Sequence, residues 1–193
     1  MSTIKLASVC GLLSPMIGFT LVLSSISTSP WFSWRHNALS DLGVGSSSAL
    51  FNLGLILSGL LVLSYALGLY RAYPRRSIIG LGWLLLASSG LSLIGIGVFP
   101  EDKGIIHFYF SVAFFTLLAS SLLVLGFGMI PHRRYRLAVF TLSMGVSAAL
   151  VWSVPYEGAA IPEAISSILG SAWITVTAIL HLRSSEGISG GRE

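Results

Sequence analysis

The sequence predicts an all-α fold: a polytopic membrane bundle of six transmembrane helices with a short interfacial helix on its outer side. Three observations carry this expectation. Of 193 residues, 54% are hydrophobic and 9% charged, with a mean hydropathy of +0.86, whereas a soluble domain is about a quarter charged. Six apolar runs recur along the chain, each near the roughly 20 residues that a membrane helix needs. The charges between them alternate by side, which fits an even number of spans.

The first run, 6–27, is too long for the apolar core of a cleaved leader and reads as a span. Its GLLSPMIG places Pro15 mid-helix, where the missing N–H frees a carbonyl one turn earlier and kinks the helix. Cys10, the single cysteine, lies in the same run and reads as a small buried hydrophobe, with no disulfide possible.

Next comes WFSWRHNALSDLG, residues 31–43. Ser29 suits an N-cap, Pro30 a first helical position and Gly43 the residue past a helix end. At about 100° per residue, Ser33, His36, Asn37, Ser40 and Asp41 share an arc of roughly 140°. Trp31, Phe32, Trp34, Ala38, Leu39 and Leu42 fill the rest, joined by Arg35. A helix over 31–42 lying in the membrane interface is therefore expected, with Trp rings at headgroup depth and Arg35 reaching toward lipid.

The remaining runs are 49–72, 77–99, 106–130, 137–154 and 164–182, the fifth being the shortest. Small residues four apart (Ser88 and Ser92, Ser143 and Ser147, Gly145 and Ala149, Ser166 and Gly170) predict close helix packing. One domain, 1–183, is expected, followed by a flexible cytoplasmic tail, 184–193, rich in Gly and Ser.

Nine of the eleven Lys and Arg fall on one side: Lys5, Arg71, Arg75, Arg76, Arg133, Arg134, Arg136, Arg183 and Arg192. The other side holds Arg35 and Lys103 with Asp41, Glu101, Asp102, Glu157 and Glu163. The positive-inside rule then places both termini in the cytoplasm of a cell-membrane protein. The net charge of +4 is spent on orientation, so nucleic acid is not an expected partner; membrane lipids are. His132, beside Arg133 and Arg134, suits anionic headgroups.

Polar groups at membrane depth are costly and mark function. On the acidic side His36, Ser40, Asp41, Asn52, Glu101, Asp102 and His107 are the ones available. His107, Asp41, Ser40 and Glu101 are the candidate catalytic residues, with His107 as base. His36, Asp41 and His107 are the candidate metal ligands, zinc being the metal such donors suit. A metal-free acid/base arrangement fits the same residues, and no HExxH spacing favours the metal form. A bis-histidine haem is disfavoured because His36 and His132 fall in loops. The spans lack ionisable residues at their centres, which weighs against a coupled transporter or proton pump; a non-enzymatic lipid- or partner-binding role is the other alternative.

NALSDLG, ALFNLGL and GVFPEDKGIIH, with GLLSP in the first span and Ser29-Pro30 after it, resemble the prokaryotic membrane family called domain of unknown function 998. The likeness runs from about residue 8 to residue 180. It implies a multi-spanning fold and singles out Ser40, Asp41, Asn52, Pro100, Glu101 and His107, but it implies no reaction. A weaker likeness is to the ceramidase and progestin-receptor membrane hydrolases, which hold zinc with Ser, Asp and His near one face. Ser40, Asp41 and His107 would take those parts, although six spans replace seven and His181 sits at the wrong end of its helix.

Overall fold

The computed structural model describes residues 3–73 and 77–189. Six long helices form, and no strand occurs among the described residues: α1 Thr3–Ser27, α2 Ser48–Ala72, α3 Ile78–Val98, α4 Ile105–Met129, α5 Tyr135–Leu150 and α6 Ala160–Ser189. A 3-10 turn, Val151–Ser153, lengthens α5. All six are long and apolar enough to cross a membrane, and each lies within a few residues of its expected run. Arg75, Arg76 and Arg192 lie outside the described residues.

Apolar length makes these helices, and local chemistry ends them. Ser77 caps α3 by accepting the Gly80 N–H at 3.0 Å. Gly104, at φ +58°, turns the chain from α3 into α4, a conformation that costs other residues more. Pro15 lies within α1 without ending it.

Consecutive helices pack side by side, and α6 closes the ring against α5 and α1. At one tight seam, α2 meets α3 backbone to backbone. A Cβ on Gly59 would stand 2.7 Å from the Gly90 carbonyl oxygen, and one on Gly90 3.0 Å from that of Gly59. The small residues of α6 also serve packing: Ser166 donates to the Ala148 carbonyl of α5 at 3.2 Å, and Gly170 lies against Leu118 of α4.

The two ends of the bundle differ. Toward the basic end the interior is filled by Tyr65, Trp83 and Trp173, all fully buried, with Trp83 and Trp173 rings 5.8 Å apart. Two of the three polar tips are met: Tyr65 donates to Thr177 at 2.9 Å and Trp173 to Thr141 at 2.9 Å, as buried aromatic donors usually do, while the Trp83 indole N–H is buried without a partner. Toward the acidic end no comparable aromatic plug exists among the described residues, and the space is open.

One expectation needs correction. Residues 31–42 are not a helix: turns and irregular backbone occupy 28–38, and only Leu39–Gly43 coils, as a 3-10 turn. The Asn37 and Asp41 side chains take the hydrogen bonds that a helix would have used, the known competition of Asn and Asp with regular structure. Ser29 does not cap a helix there; it pairs with the Ser47 hydroxyl at 2.6 Å. Trp31 and Trp34 remain exposed. Residues 184–189 of the expected tail continue α6, since no proline interrupts them and Ser184 bonds back to the His181 carbonyl at 3.0 Å; 190–193 lie outside the described residues.

Candidate functional site at the acidic end

Asn37 organises the 28–47 connection. Its Oδ1 accepts the Ser33 N–H at 2.9 Å, and its Nδ2 donates to Asp41 Oδ2 at 2.6 Å. The same Asp41 oxygen accepts the Ala38 N–H at 3.1 Å. Asp41 is thereby fixed at the start of the 3-10 turn. Asn52 of α2 finishes that turn by donating to the Gly43 carbonyl at 3.0 Å.

The connection between α5 and α6 closes on this segment from the far end of the chain. The Ala160 N–H donates to the Asn37 carbonyl at 2.9 Å. A Cβ on Gly158 would stand 2.6 Å from that same carbonyl oxygen, so the two loops meet backbone to backbone. Glu157 takes Arg35 at 2.6 Å and His36 Nδ1 at 3.1 Å. These side chains are half to three-quarters exposed, so screening leaves the pair weak, about 0–1 kcal/mol.

Inside this rim the carboxyls gather around Ser40. Its hydroxyl donates to Glu101 Oε2 at 3.0 Å, while the neighbouring Leu39 N–H donates to Glu163 Oε2 at 2.6 Å. Glu163 is 8% exposed; a carboxylate this buried needs such charge-assisted donors. Desolvation pushes the Glu101 carboxyl above its ordinary value, and hydrogen bonding to the Asp41 carboxyl adds to the rise against the lowering effect of Ser40. Two carboxyls in hydrogen-bond contact share a proton rather than ionise together.

His107 stands in the first turn of α4. Its Nδ1 contacts the Phe99 carbonyl at 2.8 Å. A carbonyl only accepts, so Nδ1 carries the hydrogen and Nε2 presents a lone pair, which takes the Ser111 hydroxyl at 3.2 Å. The carbonyl at the end of α3, an orphan of helix geometry, thus orients the imidazole.

Two cavities meet at these groups. One, of ≈ 660 Å³, lies between α4, α5, α6 and the two loops; Ser40, Glu101, His107, Ser111 and Glu163 line it together with Phe108, Phe115 and Trp152. The other, of ≈ 390 Å³, descends into the bundle. Ser40, Ser111, Phe115 and Glu163 line both.

Of the residues singled out from sequence, Ser40, Glu101 and His107 line the larger cavity, and Asp41 backs it through Glu101. The ligand set His36, Asp41 and His107 is not assembled. His36 is turned to Glu157, Asp41 to Asn37 and Ala38, and both ring nitrogens of His107 are engaged. Among the described residues no group of three or more His, Cys, Asp or Glu is placed to hold a metal, so these residues do not fit zinc. Asp102 pairs with Lys103 at 2.9 Å in the open, and Asn52 is structural. Sequence reasoning left Glu163 and Ser111 out of the site. Glu163 was readable: it falls in register with Ser166, Gly170, Trp173 and Thr177, the buried stripe of α6.

No curated protein and no solved structure matches this chain. A family model does match, over residues 12–180, which takes in most of α1, all of α2 to α5 and the membrane part of α6; the chain belongs to the family described as Protein of unknown function (DUF998).

Proposed function

We propose that this protein lies in the cell membrane with both termini cytoplasmic, binds lipid headgroups at its outward, acidic end and acts on them with carboxylic acid–base groups. The excess of Lys and Arg at the opposite end supports the orientation. The observation that carries the rest is the mixed wall of the ≈ 660 Å³ cavity, where Ser40, Glu101, His107, Ser111 and Glu163 face Phe108, Phe115 and Trp152. An amphipathic wall at this position suits a molecule that is itself half polar.

Carboxylates accept hydrogen bonds and attract cations, so the fitting headgroups carry donors, either an amine or sugar hydroxyls. Glu101 keeps its proton to a higher pH than an ordinary glutamic acid. It donates that proton to the leaving oxygen of the headgroup linkage, while the attacking water displaces the Ser111 hydroxyl from His107 Nε2 and gives that nitrogen its proton. The bond broken is the one between that oxygen and the atom the water attacks.

The test is headgroup release from aminoethyl and glycosyl lipids in nanodiscs holding the purified protein, followed by mass spectrometry. Glu101→Gln is expected to slow release by about 10²–10⁴-fold with the fold intact. Equal rates in wild type and variant overturn the assignment.

A further inference from the structure

The narrower cavity does not belong to the headgroup site alone. It descends from Ser40 and Glu163 between α1, α2, α3, α4 and α6, and its lower lining includes Val62, Leu118 and Ile174. Glu163 and Ile174 both line it; eleven positions at about 1.5 Å each make a depth of about 16 Å. One leaflet of a hydrocarbon core about 30 Å thick has that depth. Its volume, ≈ 390 Å³, lies in the range of ligand clefts, about 300–1,000 Å³.

On the α1, α2 and α3 walls the polar atoms are already spent. Ser14 and Ser58 donate to each other's carbonyls at 3.2 and 2.9 Å, and Ser89 donates to Leu86 at 2.9 Å. What these residues present inward is hydrocarbon, a surface that gives water few partners and offers no path to an ion. The floor is closed by the buried Tyr65 and Trp173 and by Gly11 against Ala178. The side is not closed: Leu23 of α1 and Ile168 of α6 line the cavity while being 55% and 54% exposed on the outer surface. The opening therefore faces the lipid between α1 and α6.

We infer that this cavity is a slot for one acyl chain of a lipid from the leaflet at the acidic end, entered sideways between α1 and α6. The headgroup then lies at Ser40, Ser111 and Glu163, where the two cavities join. The inference rests on the headgroup reading for which end the polar part occupies, and it adds the substrate class: a membrane-resident lipid, drawn in by its chain without leaving the bilayer.

The experiment uses the full chain in nanodiscs of phosphatidylethanolamine and phosphatidylglycerol, with a phosphatidylethanolamine bearing a diazirine midway along one chain. Illumination and peptide mapping are expected to give adducts on Phe114 and Leu118, which are 8% and 4% exposed and out of reach of bulk lipid. Ser167→Trp, which fills the slot from α6, is expected to cut those adducts at least fivefold, and Leu180→Trp on the outer surface to leave them unchanged. Adducts confined to outward residues such as Leu13 and Leu180 overturn the slot, and the wild-type map decides this even where Ser167→Trp does not fold. Undiminished inward adducts in a folded Ser167→Trp protein overturn it as well. Inward adducts in a wild-type protein that releases no headgroup sustain the slot and count against the headgroup reading, so the two fail separately.

Discussion

Glu163 Oε2 and the backbone N–H of Leu39 meet at 2.6 Å although 124 positions separate them in the chain. One carboxylate thereby joins the start of α6 to the turn between α1 and α2. Glu163→Ala removes the acceptor and leaves the amide unpaired, a loss of about 1–3 kcal/mol. A lower Tm in detergent is the expected outcome, with Glu163→Gln losing less because it keeps an acceptor. An unchanged Tm for the alanine variant would show that water replaces the contact.

Glu101 predicts a pH dependence. Its pKa in the folded chain lies above the ordinary 4.5, so between those two values the folded state binds more protons than the unfolded one. Stability is therefore greatest in acid and falls as pH rises through the elevated value. Thermal melting of wild type beside Glu101→Gln reads this directly. The difference between them is expected to grow from acid toward neutral pH, with the variant the flatter of the two.

The α2–α3 seam tolerates no side chain at Gly59, because the Gly90 carbonyl and the Ile94 backbone N stand in the way together with the Ile94 side chain, and backbone cannot move aside. Gly59→Leu is expected to cost about 3 kcal/mol or to abolish folding. Size-exclusion chromatography of the expressed protein checks it; a monodisperse peak at the wild-type melting temperature would contradict the seam.

Ser14 and Ser58 bond each other's carbonyls across α1 and α2. Single alanine changes are expected to cost about 0.6 kcal/mol each, the average found for such bonds in membrane proteins. Because the two bonds share one contact, the double variant should cost less than the sum. A double-mutant cycle on unfolding measures the coupling.

The helices were legible because hydropathy over about 20 residues is a strong signal, and α1 to α5 begin and end within a few positions of the expected runs. The segment 31–42 was misread for a definite reason. Its apolar and polar residues do alternate at helical spacing, but Asn37 and Asp41 bind nearby backbone N–H groups more effectively than a helix would. Half of the site was visible in the same way: Ser40, Glu101 and His107 come from short polar stretches beside apolar runs. Glu163 was not recognised because a Glu in the first turn of a helix is ordinary. Ser111 was hidden because its partner is set by the His107 tautomer, which depends on the Phe99 carbonyl. The scattering of His36 away from Asp41 and His107 follows from Glu157, a residue 121 positions away that no local pattern links to it.

The meeting of the two loops at Asn37, Glu157, Gly158 and Ala160 has a consequence for biogenesis. A ribosome adds about 5–20 residues per second, so Leu39 waits roughly 6–25 s before Glu163 is made. During that interval the first five helices have entered the bilayer without the rim that joins their ends. The acidic mouth cannot close until the start of α6 is made, and a nascent chain stopped before α6 leaves the Leu39 N–H without its carboxylate.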